Sequence, residues 1–328
     1  MAALGDAFFV QTFTTTLQRY EKTLVDNVLK EHPTLELFKS SAKSITGRGL
    51  VIPLRAANLG ATGYTDASGT HSTAASTDIM GSAVFDWASE IVTPFRLKHR
   101  DILQNSGPEQ IVSLVEEYVK AAQADHQLFI VSELHKLGGT WTSGAINSLD
   151  MLVGNAVSDA AGAGDGTVGG IDASDPTKAY WQSTRLEIDT NTDIVAAFRR
   201  VANEIYRASS KRPTHIIAGF DVFEELEAFL QTKGQYTNPQ GTAETRFTTI
   251  KFGNLEVRLD PDCQDDRAYF LNQPSLRFAY CAGEFMKSYP AVPLEGTLDT
   301  VVPIASTLSF GVAERRANGL LIRTTPEE

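Results

Sequence analysis

Apolar residues recur at spacings of three and four over residues 11–31, QTFTTTLQRYEKTLVDNVLKE, where Phe13, Leu17, Tyr20, Leu24 and Val28 form one stripe. That period predicts a helix, and Pro33 stops it. The helix stands alone at this end, so its stripe needs cover from elsewhere, such as another chain. Residues 50–55, LVIPLR, predict a strand. Residues 84–98, VFDWASEIVTPFRLK, predict another. There Phe85, Trp87, Ile91, Phe95 and Leu97 share one parity, while Asp86, Glu90, Arg96 and Lys98 share the other. Alternation of that kind marks a half-buried strand.

Between these strands, 19 of the 27 residues from Ala56 to Ser82 are Ala, Gly, Ser or Thr. Such a segment cannot bury a core of its own, and connections beyond about 12–15 residues are uncommon. With its flanking strands it reads as a long hairpin arm. Residues 108–137 then predict a long helix. Pro108 suits its first turn and Gly138-Gly139 its end. Ile111, Val115, Tyr118 and Ala122 make one stripe, continued by Leu128, Val131, Leu134 and Leu137. Unbroken, it would be about 45 Å long, a strut for whatever packs on it.

Further along, residues 192–209 predict a helix with Ile194, Val195, Phe198, Val201, Ile205 and Tyr206 inward. THIIAG at 214–219 predicts a buried strand. Asp221 and Glu224 have capping-box spacing, and Val222, Phe223, Leu226, Phe229 and Leu230 face inward behind them. LEVRLD (255–260), AYFLN (268–272), LRFAY (276–280), TVVPIAS, LSFGVAE and GLLIRT predict strands, the last two joined by a turn at Asn318-Gly319. A helix-and-strand module therefore occupies 145–280, and the closing sheet is expected to return to earlier parts of the chain. The fold class is α+β.

Composition narrows the function. The chain has 328 residues and a net charge of -11, which argues against a general nucleic-acid coat built on Lys and Arg. Residues 1–50 carry six Lys/Arg against five Asp/Glu, so the acidity lies downstream. MAALGDAFFVQTF lacks the basic start and long apolar centre of a signal peptide, so none is expected, and no apolar run reaches the length of a membrane span. Cys263 and Cys281 are the only cysteines, too few for a disulfide framework, and free thiols in a reducing cytosol are expected.

Candidate chemistry is sparse. Gly164, Gly166 and Gly169 have the spacing of a dinucleotide turn, but Pro176 stands where the following helix should run, and no strand precedes them. A loop needing positive φ is the expected reading. Asp260, Asp262, Asp265 and Asp266 (DPDCQDD) lack the glycine and glutamate of a calcium loop. They read as a solvated turn, with Asp262, Asp265 and Asp266 structural. His99, His126 and His135 lack the spacing of a zinc helix. No catalytic residue, cofactor site or metal site is assigned, and no enzyme is predicted.

The order of the pieces resembles the major capsid proteins of tailed phages, the Hong Kong 97 type fold, over nearly the whole chain. Local texture adds to the likeness: GGID with YWQ (Gly169–Asp172, Tyr180–Gln182), FTTIKFGNLEV (Phe247–Val257), LDPDC, and YFLNQPSLRF (Tyr269–Phe278). The resemblance implies an N-terminal arm over 1–47 and an extended β-hairpin loop over 48–98. It implies a peripheral domain over 99–144 with a spine helix at 108–137, an axial domain over 145–280, and a returning peripheral sheet over 281–328. VGGIDASDPTKAYWQ would lead into the axial domain as a flexible turn anchored by Trp181.

It further implies a virion shell of pentamers and hexamers assembled in a host bacterial cytoplasm, enclosing double-stranded DNA through weak non-specific contact. Scaffolding, portal and decoration proteins are the implied partners, with no membrane. Some relatives weld their subunits through a lysine on the extended loop. Ala56 to Ser82 holds no lysine, so a non-covalent shell is expected. Two other readings stay open: an encapsulin-like nanocompartment, and a metal-dependent hydrolase using Asp260–Asp266.

Overall fold

The computed structural model describes residues 32–55, 80–100, 114–137, 144–154, 167–173, 175–189, 192–232, 249–253 and 255–324. The predicted helix over 11–31, most of the Ala56–Ser82 segment, Pro108 and Gly164–Gly166 lie outside them. In chain order the elements are α1 (Pro33–Lys39), β1 (Ala42–Ile45), β2 (Gly49–Arg55), β3 (Met80–Asp86), β4 (Ile91–Leu97) and α2 (Leu114–Leu134). Then follow β5 (Thr167–Val168), β6 (Ile171–Asp172), β7 (Thr184–Asp189), α3 (Ile194–Ser209), β8 (His215–Ala218), α4 (Phe220–Thr232), β9 (Thr249–Phe252) and β10 (Leu255–Leu259). The remaining strands are β11 (Arg267–Leu271), β12 (Leu276–Cys281), β13 (Lys287–Ser288), β14 (Val292–Pro293), β15 (Thr300–Ser306), β16 (Leu308–Val312) and β17 (Gly319–Thr324).

A six-stranded sheet in the order β7-β17-β11-β8-β10-β9 is the centre of the molecule. Its inner strands β17, β11 and β8 carry continuous apolar runs because both faces are covered there. Along β11, Ala268 and Phe270 face α3 and α4, while Tyr269 and Leu271 face a second core on the other side. Ile216 and Ile217 divide in the same way. α3 is capped by Asp193, whose side chain accepts the Val195 N–H at 2.9 Å, and it lays Phe198, Val201 and Ile205 on the sheet. Tyr206 departs from its expected inward place. It is 49% exposed, with the Arg212 guanidinium over its ring. α4 starts at Phe220, so Asp221 lies inside the first turn and is not the cap that its spacing suggested.

The predicted strand over 84–98 is two strands. β3 pairs antiparallel with β2, whereas β4 pairs along its length with β15 in a different sheet. Residues 87–90 carry the chain across, and four residues preserve a period of two, so Phe85, Ile91, Phe95 and Leu97 keep one parity and are all buried. The last three strands do not form one returning sheet. β15 joins β4, β13 and β14; β16 joins β12 and β1; β17 enters the central sheet. No hairpin forms at Asn318-Gly319. A short 3-10 turn, Arg315–Ala317, intervenes. The buried Asn318 amide accepts the Asn272 N–H and donates to Ser275 Oγ and to the Glu314 carbonyl.

α2 packs on β4. Its buried face runs through Ala122, His126, Ile130, Val131 and Leu134, while Tyr118 and Leu137 of the predicted stripe are exposed. His126 is wholly buried, with Nδ1 2.9 Å from Thr93 Oγ1. Among the described residues Nε2 has no hydrogen-bond partner. Burial lowers its pKa from 6.5, since desolvation disfavours the charged ring. The folded state therefore binds its proton later than the unfolded chain as pH falls. The neutral ring's contribution is complete above about 6.5 and drains away below it. Urea unfolding at pH 7.5 and pH 5.5 should show the intact chain losing more stability on acidification than His126→Gln. Equal losses would remove His126 as the cause.

Candidate functional site

Of the glycine motif, Gly169 lies among the described residues, in a hairpin. Gly169 and Gly170, with φ of 62° and 76°, form the two-residue turn between β5 and β6. Two positive φ angles in succession are the mark of a type I′ turn. A Cβ on Gly169 would stand 3.0 Å from Ala83 Cβ and 3.1 Å from Phe85 Cζ. The Gly169 carbonyl accepts the Val84 N–H at 2.9 Å. Trp181, 1% exposed, donates from Nε1 to the Val168 carbonyl at 2.8 Å. VGGIDASDPTKAYWQ is therefore not a loose turn: it clamps the base of the β2–β3 hairpin to the core.

The four aspartates do not converge. Asp265 is exposed. Asp266 Oδ1 lies 3.5 Å from Arg267 Nε. Asp260, expected in solvent, is fully buried and accepts hydrogen bonds from distant parts of the chain. The Asp-Pro sequence does make the turn its composition suggests: the Cys263 N–H donates to the Asp260 carbonyl at 3.1 Å, and the Asp262 N–H to Oδ1 at 3.1 Å. Oδ2 accepts the Thr34 N–H at 3.1 Å and the Thr34 hydroxyl at 2.6 Å. His135 Nε2 lies 3.1 Å from that hydroxyl and 3.5 Å from Oδ2.

Burial on its own would raise the Asp260 pKa. The His135 hydrogen bond and charge, then the Thr34 hydroxyl and the Asp262 N–H, outweigh it and hold the carboxyl at about 2. Asp260 is thus an ionised, buried knot that joins α1, the end of α2 and the corner after β10. His32 adds to it, with Nδ1 2.9 Å from Asp262 Oδ2. Nothing local in the sequence points to this knot, because Thr34 and Asp260 are 226 positions apart.

The histidines separate. His135 joins the knot, His126 faces Thr93, and His99 is exposed at the end of β4, where its backbone N–H meets Asp299 Oδ1 at 3.0 Å. Cys263 is buried, and burial pushes its thiol well above the usual value. That is opposite to what a nucleophilic thiol needs. Among the described residues, one group of His, Cys, Asp and Glu has metal-ligand spacing: His32, Asp260 and Asp262. Arg315 is the largest buried charge. Its Nε donates to the Leu152 carbonyl at 2.8 Å and its Nη1 to the Trp181 carbonyl at 3.2 Å. Burial lowers its pKa to about 9, so it stays charged at neutral pH.

No family model matches the chain, and no curated protein matches it. Solved structures do. A chain of the cyanophage A-1(L) capsid asymmetric unit is 16% identical with a TM-score of 0.70, covering 95% of this chain and 97% of its own. A chain from the capsid of a native GTA particle is 12% identical with a TM-score of 0.60, over 98% and 100% of the two chains. One from Gordonia phage Cozz is 12% identical with a TM-score of 0.58, over 97% and 94%. The chain has the fold of tailed-phage capsid proteins.

Proposed function

We propose that this chain is the major capsid protein of a tailed double-stranded DNA phage, tiling as pentamers and hexamers of itself into a closed icosahedral shell. The observation that carries this reading is a fold shared along almost the entire length with chains of phage capsids. Surface composition supports it. Met80 and Leu298 are 77% and 76% exposed, and Val51 and Val84 lie opposite each other on the outer face of the hairpin. Apolar positions so placed are covered when a neighbouring copy packs on them.

In this reading residues 1–47 are the N-terminal arm, α2 belongs to the spine helix, and 145–280 form the axial domain. The extended loop ends at 87–90 and not at 98, a boundary supported by the pairing of β4 with β15. β17 is grouped with the axial domain because it lies in the central sheet. The shell encloses the genome in the virion, with scaffolding, portal and decoration proteins as partners, and forms in the host cytoplasm.

Expression of the chain alone, or with a scaffolding protein of its phage, followed by negative-stain imaging tests the proposal. Closed particles of uniform size are expected. Soluble monomers under both conditions would refute it. The same particles, boiled in detergent without reductant, should run as one band near 35.7 kDa. A ladder of dimers to hexamers would show covalent links that the lysine-free hairpin segment speaks against.

A further inference from the structure

We propose that His32, Asp260 and Asp262 form a divalent transition-metal site that fastens the start of α1 to the turn after β10. One ligand atom from each residue lies within 4.8 Å of the other two. A zinc ion holds its nitrogen and oxygen ligands at about 2.0–2.2 Å in a tetrahedron. Neighbouring ligand atoms then stand about 3–4 Å apart, so the 2.9 Å edge between His32 Nδ1 and Asp262 Oδ2 opens slightly and any longer edge, none above 4.8 Å, closes.

The orientation of His32 points the same way. Its side chain is 6% exposed, and Nδ1 sits 2.9 Å from Asp262 Oδ2. Yet the two are out of line for an N–H···O bond, which leaves Nδ1 buried without an aligned acceptor. Asp260 can supply the third ligand without giving up its present bonds. Oδ2 is committed to Thr34, whereas among the described residues Oδ1 accepts only the Asp262 N–H, leaving a lone pair. His135 and Thr34 hold that carboxylate from behind, as the outer partners of a metal ligand do.

The ligand set selects the ion. One imidazole and two carboxylates suit zinc, cobalt or manganese, and the count falls short of the six to eight oxygens that calcium takes. Water completes the coordination, and Asp262, 15% exposed, lies on the path to solvent. An ion here would offset two clustered carboxylate charges and bind residues 32, 260 and 262 together. The inference does not depend on the shell reading, because it is tested on the isolated subunit.

The full chain, stripped with a chelator and dialysed into metal-free buffer, is titrated with Zn2+ by calorimetry and followed by thermal unfolding. One zinc per chain and a raised Tm are expected. Asp262→Asn and His32→Ala should each weaken zinc binding at least tenfold, while Asp265→Asn and His99→Ala leave it unchanged. Absence of binding, or tight binding that survives both ligand substitutions, would overturn the proposal. Should either ligand variant fail to fold, Co2+ added to the intact chain decides. Visible d–d bands of low-symmetry cobalt with nitrogen and oxygen ligands support the site, and the spectrum of aqueous cobalt refutes it.

Discussion

A chain in which residues 56–79 are replaced by Asn-Gly is expected to fold normally and to build no closed shells. Arg55 and Met80 are the last paired residues of the β2–β3 ladder, so a two-residue type I′ turn can close it there. What anchors the hairpin lies below that rung. Leu50, Ile52 and Leu54 pack on the core, and Ala83 and Phe85 are part of it. Phe85 is seated against Gly169 and Gly311, where a Cβ would stand 3.1 Å and 2.9 Å from its ring. None of these contacts uses the removed residues, so the Tm should stay within about 2–4 °C, the shift of about 1 kcal/mol in a large domain. The removed segment is rich in Ala, Gly, Ser and Thr and cannot support a core, so under the proposed function its contribution is contact with a neighbour. Size-exclusion chromatography with imaging reads the outcome, and shells of normal size from the shortened chain would defeat the argument.

Arg315→Ala is expected to cost about 3–5 kcal/mol of stability, among the largest effects of any single substitution in this chain. The guanidinium is fully buried and donates to the carbonyls of Leu152 and Trp181. Hydrogen bonds from a charged donor contribute about 1.5–3 kcal/mol each, and truncation leaves both carbonyls buried beside a cavity. Those two carbonyls belong to the π-helical turn Asp150–Gly154 and the 3-10 turn Pro176–Trp181. Neither is long enough to hold itself, so Arg315 is the brace between them. Arg315→Lys should recover only part of the loss, because an ammonium cannot reproduce the planar fork. Urea unfolding measures both. A loss below about 1 kcal/mol for the alanine variant would mean the turns are braced by something else.

Much of the architecture could be read from periodicity, and the misreadings have a common physical origin. Ile194, Phe198, Val201 and Ile205 were legible because a helix against a sheet hides one stripe. Tyr206 was not, since its ring serves Arg212 at the surface. The parity of Phe85, Ile91, Phe95 and Leu97 was legible, but their division between two sheets was not. Alternation records which side is buried and is silent about the strand alongside. β15, β16 and β17 follow one another closely and still part into three sheets for the same reason. The Asp260 knot is the extreme case. An aspartate before a proline is ordinary turn chemistry, and only Thr34 and His135, brought in from far along the chain, make it a buried anchor.

The position of β17 bears on biosynthesis. It lies between β7, its parallel partner, and β11, its antiparallel one, yet it is translated after both. Until Gly319–Thr324 emerges from the ribosome, the growing chain holds two open strand edges facing a gap in the six-stranded sheet, and Leu320 and Leu321 are missing from the cores on either face. Open edges invite pairing with other chains. Prematurely terminated products are thus left with a breached sheet and are natural substrates for chaperones and proteases, which would keep defective copies out of any assembly the intact subunit enters.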